Sequence, residues 1–95
     1  MAAYMIADVT VKNPDTYAEY RKQVLATITK YGGRFLVRGG AHETIEGDWR
    51  PGRVVVIEFP DTAAAKSWYR SKEYAPLAKL RHSASSGQMI LVEGV

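Results

Sequence analysis

The sequence predicts an α+β fold built from two βαβ units in series. Residues 4–11 and 53–59 are rich in β-branched residues and contain no breaker, which is typical of strands. Apolar residues recur at steps of three and four over residues 17–31, which indicates one face of a helix. Pro-Asp-Thr follows both strands, at 14–16 and 60–62, and suggests a duplicated unit. Two such units with both helices on one face of an antiparallel sheet form the ferredoxin-like split βαβ arrangement, βαββαβ.

The first unit is predicted to contain a strand, a helix and a short second strand. The first strand covers Tyr4–Val11. Asn13 can cap a helix whose first residue is Pro14, because the N–H that proline lacks has no partner inside the helix at that position. That helix ends at Gly32-Gly33, since glycine tolerates the positive φ of a helix C-terminus. Phe35–Val37 is the second strand.

The second unit follows a connection rich in turn formers. Gly39-Gly40 predicts a bulge or a turn, and residues 43–46 predict a further short strand. Residues 47–52 are dense in Gly, Asp and Pro and predict an exposed loop. Arg53–Phe59 is the clearest strand of the chain, and a helix capped by Asp61 follows it.

The C-terminal part is predicted to contain two short helices and the last strand. Ser71 closes the first of these helices, and residues 76–81 form the second. Residues 82–87 are predicted to be a loop, and Met89–Glu93 is the final strand. A chain of 95 residues has room for one domain, so residues 1–95 are predicted to form a single ferredoxin-like unit.

Composition excludes several classes of partner. The chain has no cysteine, which excludes disulfides and thiol nucleophiles. Its longest apolar run, residues 2–7, is too short to span a bilayer, and no basic segment precedes it. The net charge of +3 comes from basic residues interleaved with acidic ones. We therefore predict a cytoplasmic protein that binds neither nucleic acid nor membranes.

Both faces of the predicted sheet are apolar. Tyr4 and Ile6 in the first strand, and Val54 and Val56 in the third, alternate with apolar neighbours that belong to the opposite face. Helices on one side cover only one face, and the other would leave a wide exposed apolar patch on a monomer. We therefore predict a homodimer in which the two sheets pack against each other.

A series of short motifs resembles one bacterial family. In order along the chain the motifs are Arg38-Gly39-Gly40, Glu46-Gly47, Arg53, Glu58-Phe59-Pro60, Trp68-Tyr69, Ser71 and Tyr74. Over residues 4–94 they resemble the family called domain of unknown function 1330, which belongs to the dimeric α+β barrel superfamily. The resemblance implies a ferredoxin-like protomer that pairs through its sheet. The superfamily includes cofactor-independent monooxygenases, isomerases, haem enzymes and proteins without an established activity, so the fold does not select a reaction.

Motifs for covalent, metal and nucleotide chemistry are missing. The serines cluster in loops and none lies in a Gly-x-Ser-x-Gly elbow. His42 and His82 are forty residues apart and form no i, i+4 pair, and His82 suits a solvated helix end. Gly39-Gly40 is followed by neither Lys-Ser/Thr nor a helix. We therefore predict no metal and no cofactor.

Charged residues on the predicted strands form the candidate polar site. Strict alternation places Asp8, Arg38 and Glu58 at positions that can share the sheet face left uncovered by the helices. Two interpretations remain open. Arg38 and Glu58 form an ion pair that fixes strand register or the dimer. Alternatively, Arg38 binds an anionic group of a ligand and Glu58 serves as base or acceptor.

Aromatic residues supply the walls of a predicted pocket. Trp68, Tyr69 and Tyr74 lie where one helix breaks into another, and such a break can open a cleft beside the sheet. Adjacent Trp68 and Tyr69 cannot both point into the core. Trp49, in the turn-rich loop, is expected at an interface or on a lid. Three tyrosines at helical spacing are expected in the core: Tyr17, Tyr20 and Tyr31.

Two classes of function remain open. One is the binding or conversion, without a cofactor, of a small anionic or aromatic metabolite. The other is a non-catalytic interaction module whose buried charges only hold the dimer. The candidate catalytic residues are Glu58 as base and Tyr74 as proton donor. The candidate ligand-binding residues are Arg38, Arg53, Trp68, Tyr69 and His82.

Overall fold

The computed structural model describes residues 1–95 and contains four strands and three helices. The strands form one antiparallel sheet in the order β2-β3-β1-β4, which is the ferredoxin-like order, so the predicted fold class is confirmed. None of the helices has the length and apolar character that crossing a membrane would require. The elements in chain order are β1 (Ala3–Val11), α1 (Pro14–Lys30), β2 (Arg34–Arg38), β3 (Arg53–Phe59), α2 (Thr62–Tyr69), α3 (Ala75–Ala84) and β4 (Ser85–Glu93).

The N-terminal helix caps predicted from the sequence are confirmed. Asn13 Oδ1 accepts a hydrogen bond of 3.2 Å from the backbone N–H of Thr16 at the start of α1. Asp61 Oδ1 accepts one of 2.8 Å from the N–H of Ala64 at the start of α2. Each carboxamide or carboxylate oxygen thereby satisfies a donor that has no partner inside its own helix.

The helices cover one face of the sheet and leave the other open. In β1 the side chains of Ala3, Met5, Ala7 and Val9 are buried, whereas their neighbours on the opposite face are only partly buried. The open face nevertheless carries large apolar side chains from all four strands. These are Tyr4, Ile6, Leu36, Val37, Val54, Val56, Ile90 and Val92.

The break between α2 and α3 has a packing function. Ser71 Oγ donates to the carbonyl of Trp68 (2.7 Å) and accepts from the N–H of Tyr74 (3.1 Å), which fixes the turn between the helices. The turn brings the rings of Trp68 and Tyr74 to a centroid separation of 4.1 Å, and both side chains are fully buried. The rings of Trp68 and Tyr74 therefore pack in the core instead of lining a cleft, whereas Tyr69 lines a groove against Met89–Leu91 of β4.

Two predicted segments differ from the structure. Residues 43–46 form no strand, because the chain leaves the sheet after β2, and Ile45 is 85% exposed. Residues 82–87 are not a loop, because α3 continues to Ala84 and β4 begins at Ser85. Pairing with β1 outweighs the weak strand propensity of Ser and Gly there. At Gly87 a Cβ atom would lie 2.2 Å from the carbonyl oxygen of Asp8, so this close strand pairing requires glycine.

Candidate ligand cavity

A cavity lies between the covered face of the sheet and helices α1 and α3. Fourteen residues line it and ten of them are hydrophobic, including Met5, Ala7 and Val55 from the central strands. The empty volume of the cavity, together with the open solvent at its mouth, is about 440 Å³. The centre of a water molecule can occupy about 30 Å³ of it, enough for roughly two waters. A larger molecule therefore has to displace flexible side chains at the rim.

All charged residues that line this cavity are arginines. Arg21, Arg38, Arg53 and Arg81 come from α1, β2, β3 and α3 respectively, and no Asp or Glu lines the cavity. None of the four takes part in any of the three ion pairs of the structure. The cavity therefore combines apolar walls with an uncompensated positive charge.

Arg38 reaches the cavity because of a β-bulge in β2. Phe35 stands opposite Ile57 and Val37 opposite Val56, so Leu36 is an extra residue in the ladder. One extra residue reverses the alternation, and Arg38 therefore lies on the covered face, opposite Val55.

The Arg38 guanidinium is held by contacts with neutral groups. Its Nη2 donates to the carbonyl oxygen of Arg21 (2.7 Å), and its Cζ lies 4.2 Å from the centroid of the Phe35 ring. Burial lowers the pKa of Arg38, and the nearby charges of Arg21 and Arg53 lower it further. A bound anion would relieve both effects.

Arg53 lies beside Arg38 and depends on a glycine. Its Nη2 donates to the carbonyl of Arg38 (3.2 Å), and its buried Nε has no hydrogen-bond partner. A Cβ atom on Gly39 would lie 2.1 Å from Arg53 Nη1, and Gly39 has φ of +72°. Glycine at position 39 thus permits the left-handed backbone conformation and leaves room for the Arg53 guanidinium beside it.

Arg81 lies at the opposite end of the cavity in a hydrogen-bonded chain. Its Nε donates to Tyr74 Oη (3.2 Å), and Tyr74 Oη is 3.0 Å from Tyr20 Oη. Tyr20 and Arg81 line the cavity, whereas Tyr74 does not. Burial raises the pKa of Tyr20, and the adjacent Tyr74 raises it further, so the phenol of Tyr20 stays protonated.

The predicted pairing of Arg38 with Glu58 is wrong. Glu58 lies on the open face, where its Oε1 accepts a hydrogen bond of 2.8 Å from Nε of Arg34. The sheet separates Glu58 from Arg38, because the bulge at Leu36 has moved Arg38 to the covered face. Arg34 therefore takes the role that the sequence analysis gave to Arg38 in the ion pair.

The other predicted site residues lie outside this cavity. Trp68 and Tyr74 are core residues with no exposed surface. Tyr69 is 40% exposed on α2, which confirms that it and Trp68 do not both enter the core. His82 is exposed, and its Nε2 lies 3.2 Å from Nη2 of Arg81. Of the seven predicted residues, the structure brings only Arg38 and Arg53 together in the cavity.

Sequence reasoning missed Arg81 and assigned Tyr20 only to the core. A signal for Arg81 exists, because Leu77, Arg81 and Ala84 are spaced four and three apart and form the buried face of α3. An arginine on a buried helical face requires a partner or a function. No comparable signal exists for the bulge at Leu36.

The loop between β2 and β3 is anchored at the open face. Asp8 Oδ2 accepts from the indole N–H of Trp49 (3.0 Å), and Asp8 Oδ1 accepts from the N–H of Gly52 (2.9 Å). The Trp49 hydrogen bond is the larger and the Gly52 bond the smaller cause of the lowered pKa of Asp8. Trp49 itself remains 61% exposed. No group of three or more His, Asp or Glu side chains converges in the structure.

The comparison with known families now identifies the chain. The profile of the family described as Domain of unknown function (DUF1330) matches residues 2–95, and the chain belongs to this family. No curated protein sequence matches it.

Solved structures with the same fold include proteins of different function. A protein of unknown function from Rhodopseudomonas palustris has a TM-score of 0.81 at 20% identity, covering 99% of this chain and 82% of that one. SnoaB, a cofactor-independent oxygenase from Streptomyces nogalater, has a TM-score of 0.69 at 14% identity, covering 99% and 93%. An antibiotic biosynthesis monooxygenase has a TM-score of 0.61 at 18% identity, covering 100% and 99%. The chain therefore shares its fold with these proteins.

Proposed function

We propose that this protein binds a small anionic molecule with an apolar body, such as an aromatic carboxylate, in the cavity under α1. The observation that carries the proposal is the set of cavity arginines, Arg38, Arg53 and Arg81, without a carboxylate partner. A guanidinium binds a carboxylate in a bidentate, charge-assisted manner. The hydrophobic lining suits the remainder of such a ligand.

The stability cost of the arginines supports a functional interpretation. Like charges that are partly withdrawn from water and lack a counter-charge destabilise the folded chain. The buried Nε of Arg53 adds a donor that has no acceptor in the ligand-free protein. Groups that cost stability in the free protein and match the chemistry of a ligand are typical of binding sites.

The geometry favours binding over catalysis by the predicted residues. Glu58 lies on the other face of the sheet, so it cannot remove a proton from a ligand in the cavity. The Tyr74 hydroxyl is enclosed between Tyr20 and Arg81. Two structural neighbours are described as oxygenases. If this chain also converts its ligand, it would have to use the arginines and tyrosines that line the cavity in place of Glu58 and Tyr74.

We also propose that two copies pair through the open face of the sheet. Support comes from the large apolar side chains of that face, of which Ile90 is 60% exposed and Val92 42% exposed in the single chain. Trp49 lies beside this face through its bond to Asp8, where an interface would cover its indole. Sedimentation at micromolar concentration should give twice the chain mass of 10.6 kDa, and a single species of 10.6 kDa would contradict the pairing.

Thermal unfolding with benzoate and its neutral isostere benzamide tests the binding proposal. Benzoate at ten times its Kd should stabilise the native state by about 1.4 kcal/mol, which raises the Tm of a domain of this size by roughly 6–11 °C. Benzamide should have little effect, because it offers no charge to the arginines. Acetate at equal ionic strength controls for screening of surface charges.

A matched pair of variants connects the effect to the cavity. The double variant Arg38→Met/Arg53→Met removes both charges but keeps the aliphatic stems, and we expect it to abolish the benzoate shift. Arg70→Met removes an exposed arginine that does not line this cavity and should keep the shift. Equal shifts with benzoate and benzamide, or equal loss in the two variants, would contradict the proposal and favour the interaction module.

A further inference from the structure

We infer that the ligand carries a second oxygen, a carbonyl or enolate across an apolar body from its carboxylate, and that the Tyr20 hydroxyl donates a hydrogen bond to it. This inference rests on the proposed function. It adds to the arginine site a neutral donor at the other end of the cavity. The carboxylate is assigned to Arg38 and Arg53, and the second oxygen to Tyr20.

The direction of the hydrogen bonds in the tyrosine chain follows from the chemistry of arginine. The guanidinium of Arg81 only donates, so its Nε–H occupies an acceptor position on Tyr74 Oη. The hydroxyl proton of Tyr74 must then go to another acceptor, and Tyr20 Oη at 3.0 Å is its only neighbour of that kind. The reverse direction would leave the proton of a fully buried Tyr74 without an acceptor, which is costly.

The proton of Tyr20 is therefore free for a ligand. Because Tyr20 Oη accepts from Tyr74, its own O–H has no acceptor in the protein. Tyr20 lines the cavity, so an oxygen bound there can receive this proton. Because Arg81 donates to Tyr74 and Tyr74 donates to Tyr20, this series of hydrogen bonds is polarised. The Tyr20 hydroxyl at its end is therefore a stronger donor.

The cavity extends across the width of the sheet, from β2 to β4. Its charged end reaches toward α1, because Arg53 Cζ lies 5.8 Å from the Tyr17 ring centroid and the Tyr17 and Tyr20 centroids are 5.5 Å apart. On the covered face, four residues stand opposite one another in consecutive strands: Arg38, Val55, Ala7 and Met89. Three strand spacings place the Cα atoms of Arg38 and Met89 about 14 Å apart. Arg81 borders both this cavity and the groove beside Met89, so the tyrosine chain lies toward the β4 end.

This arrangement selects a ligand with two different polar ends. The side chains of Val55 and Ala7 lie between the ends and offer no hydrogen bond, so the ligand's middle is apolar. The end near Arg38 and Arg53 carries full charge and matches a carboxylate. The end near Tyr20 also holds Arg81, whose Nε and Nη2 already have partners in Tyr74 and His82. The Tyr20 hydroxyl is the donor there without an acceptor, and it matches a ketone or enolate oxygen. A keto acid with an aromatic or alicyclic body meets both requirements.

Calorimetric titration of benzoate and 4-acetylbenzoate tests the inference. The two probes share the carboxylate and the ring, and only the second has a carbonyl at the far end. Wild type should bind 4-acetylbenzoate more tightly than benzoate. In Tyr20→Phe this preference should fall by roughly threefold to tenfold, the effect of one hydrogen bond, while benzoate affinity changes less than about twofold.

Tyr17→Phe is the matched control. Tyr17 lines the same cavity and is equally buried, but it is not hydrogen-bonded to Tyr74. The Tyr17→Phe variant should therefore keep the wild-type preference for 4-acetylbenzoate over benzoate. An unchanged preference in Tyr20→Phe, or an equal loss in Tyr17→Phe, would overturn the inference.

The outcomes separate this inference from the proposed function. If wild type binds neither probe, the proposed function fails. If it binds both with equal affinity through the arginines, the proposed function stands and only the second oxygen is contradicted. Should Tyr20→Phe not fold, proton NMR of the unaltered protein decides. The Tyr20 hydroxyl proton should move downfield with 4-acetylbenzoate but not with benzoate, and equal behaviour would overturn the inference.

Discussion

The two faces of the sheet each depart from the usual distribution of charge and apolar surface. The cavity between the covered face and the helices is lined by Arg38, Arg53 and Arg81 and by no carboxylate. The open face carries apolar side chains from all four strands and one ion pair, Arg34–Glu58. In an isolated soluble domain the charges would lie outside and the apolar side chains inside.

These two departures indicate that each face is completed by something else. The covered face lacks an anion, and the chain itself supplies none to the cavity. The open face lacks a cover, and a second copy of the same surface is the simplest apolar partner. One sheet can therefore separate a ligand site from an interface, and substitutions on the two faces should have different consequences.

The largest expected effect is on the open face. Val56→Glu places a carboxylate at the centre of the proposed interface, and twofold symmetry places two in each dimer. We expect the dimer Kd to rise by more than about a hundredfold, measured by sedimentation equilibrium.

Ala26→Glu, on the exposed side of α1, adds the same charge and should leave the mass unchanged. Circular dichroism should show that both variants keep their fold. A Val56→Glu variant with the sedimentation behaviour of wild type would contradict pairing through this face.

The next largest effect concerns the hydrogen bonds that connect Tyr20, Tyr74 and Arg81. Tyr74→Phe removes the hydroxyl between Tyr20 and Arg81 and leaves a buried donor on Arg81 unpaired. We expect the free energy of unfolding in urea to fall by about 1–3 kcal/mol. Tyr69→Phe, on a neighbouring exposed tyrosine, should change it by less than about 0.5 kcal/mol. Equal losses would show that the Tyr74 hydroxyl has no special role.

Replacing a cavity arginine should have the opposite effect on the free energy of unfolding. Arg53→Met removes repulsion with Arg38 and a buried donor without a partner, at the loss of one hydrogen bond to the carbonyl of Arg38. We expect the ligand-free protein to become more stable, by up to about 1–2 kcal/mol at a fixed protein concentration. Arg70→Met should be neutral. A clear loss of stability in Arg53→Met would show that Arg53 is structural.

The sequence predicts much of this fold because its signals are local. Asn13 and Asp61 mark helix starts through hydrogen bonds to residues three positions on, and Pro14 suits the first helical position because it lacks an N–H. The strand pattern of Arg53–Phe59 is likewise readable without its neighbours. The start of β4 at Ser85 is not predictable in this way, since pairing with β1 determines it.

The candidate site was predicted less well because a single residue decides its location. Arg38 and Arg53, both candidate ligand-binding residues from the sequence, line the same cavity, but strict alternation assigns Arg38 to the wrong face. The cause is the bulge at Leu36, which follows from the pairing with β3 and has no signature in β2 alone. Tyr20 lies at a core position of α1, and only its hydrogen bond to Tyr74 distinguishes it from the other tyrosines of that helix.

The smallest expected effect is a coupling energy on the open face, and it tests the register directly. Arg34 is 71% exposed in the single chain, so a double-mutant cycle of Arg34→Ala and Glu58→Ala should give about 0.2–1 kcal/mol, measured by urea unfolding in the Val56→Glu background. A cycle of Arg38→Ala and Glu58→Ala should be additive within about 0.5 kcal/mol, because the sheet lies between these residues. Coupling of Glu58 to Arg38 instead of Arg34 would contradict the bulge, and with it the placement of Arg38 in the cavity.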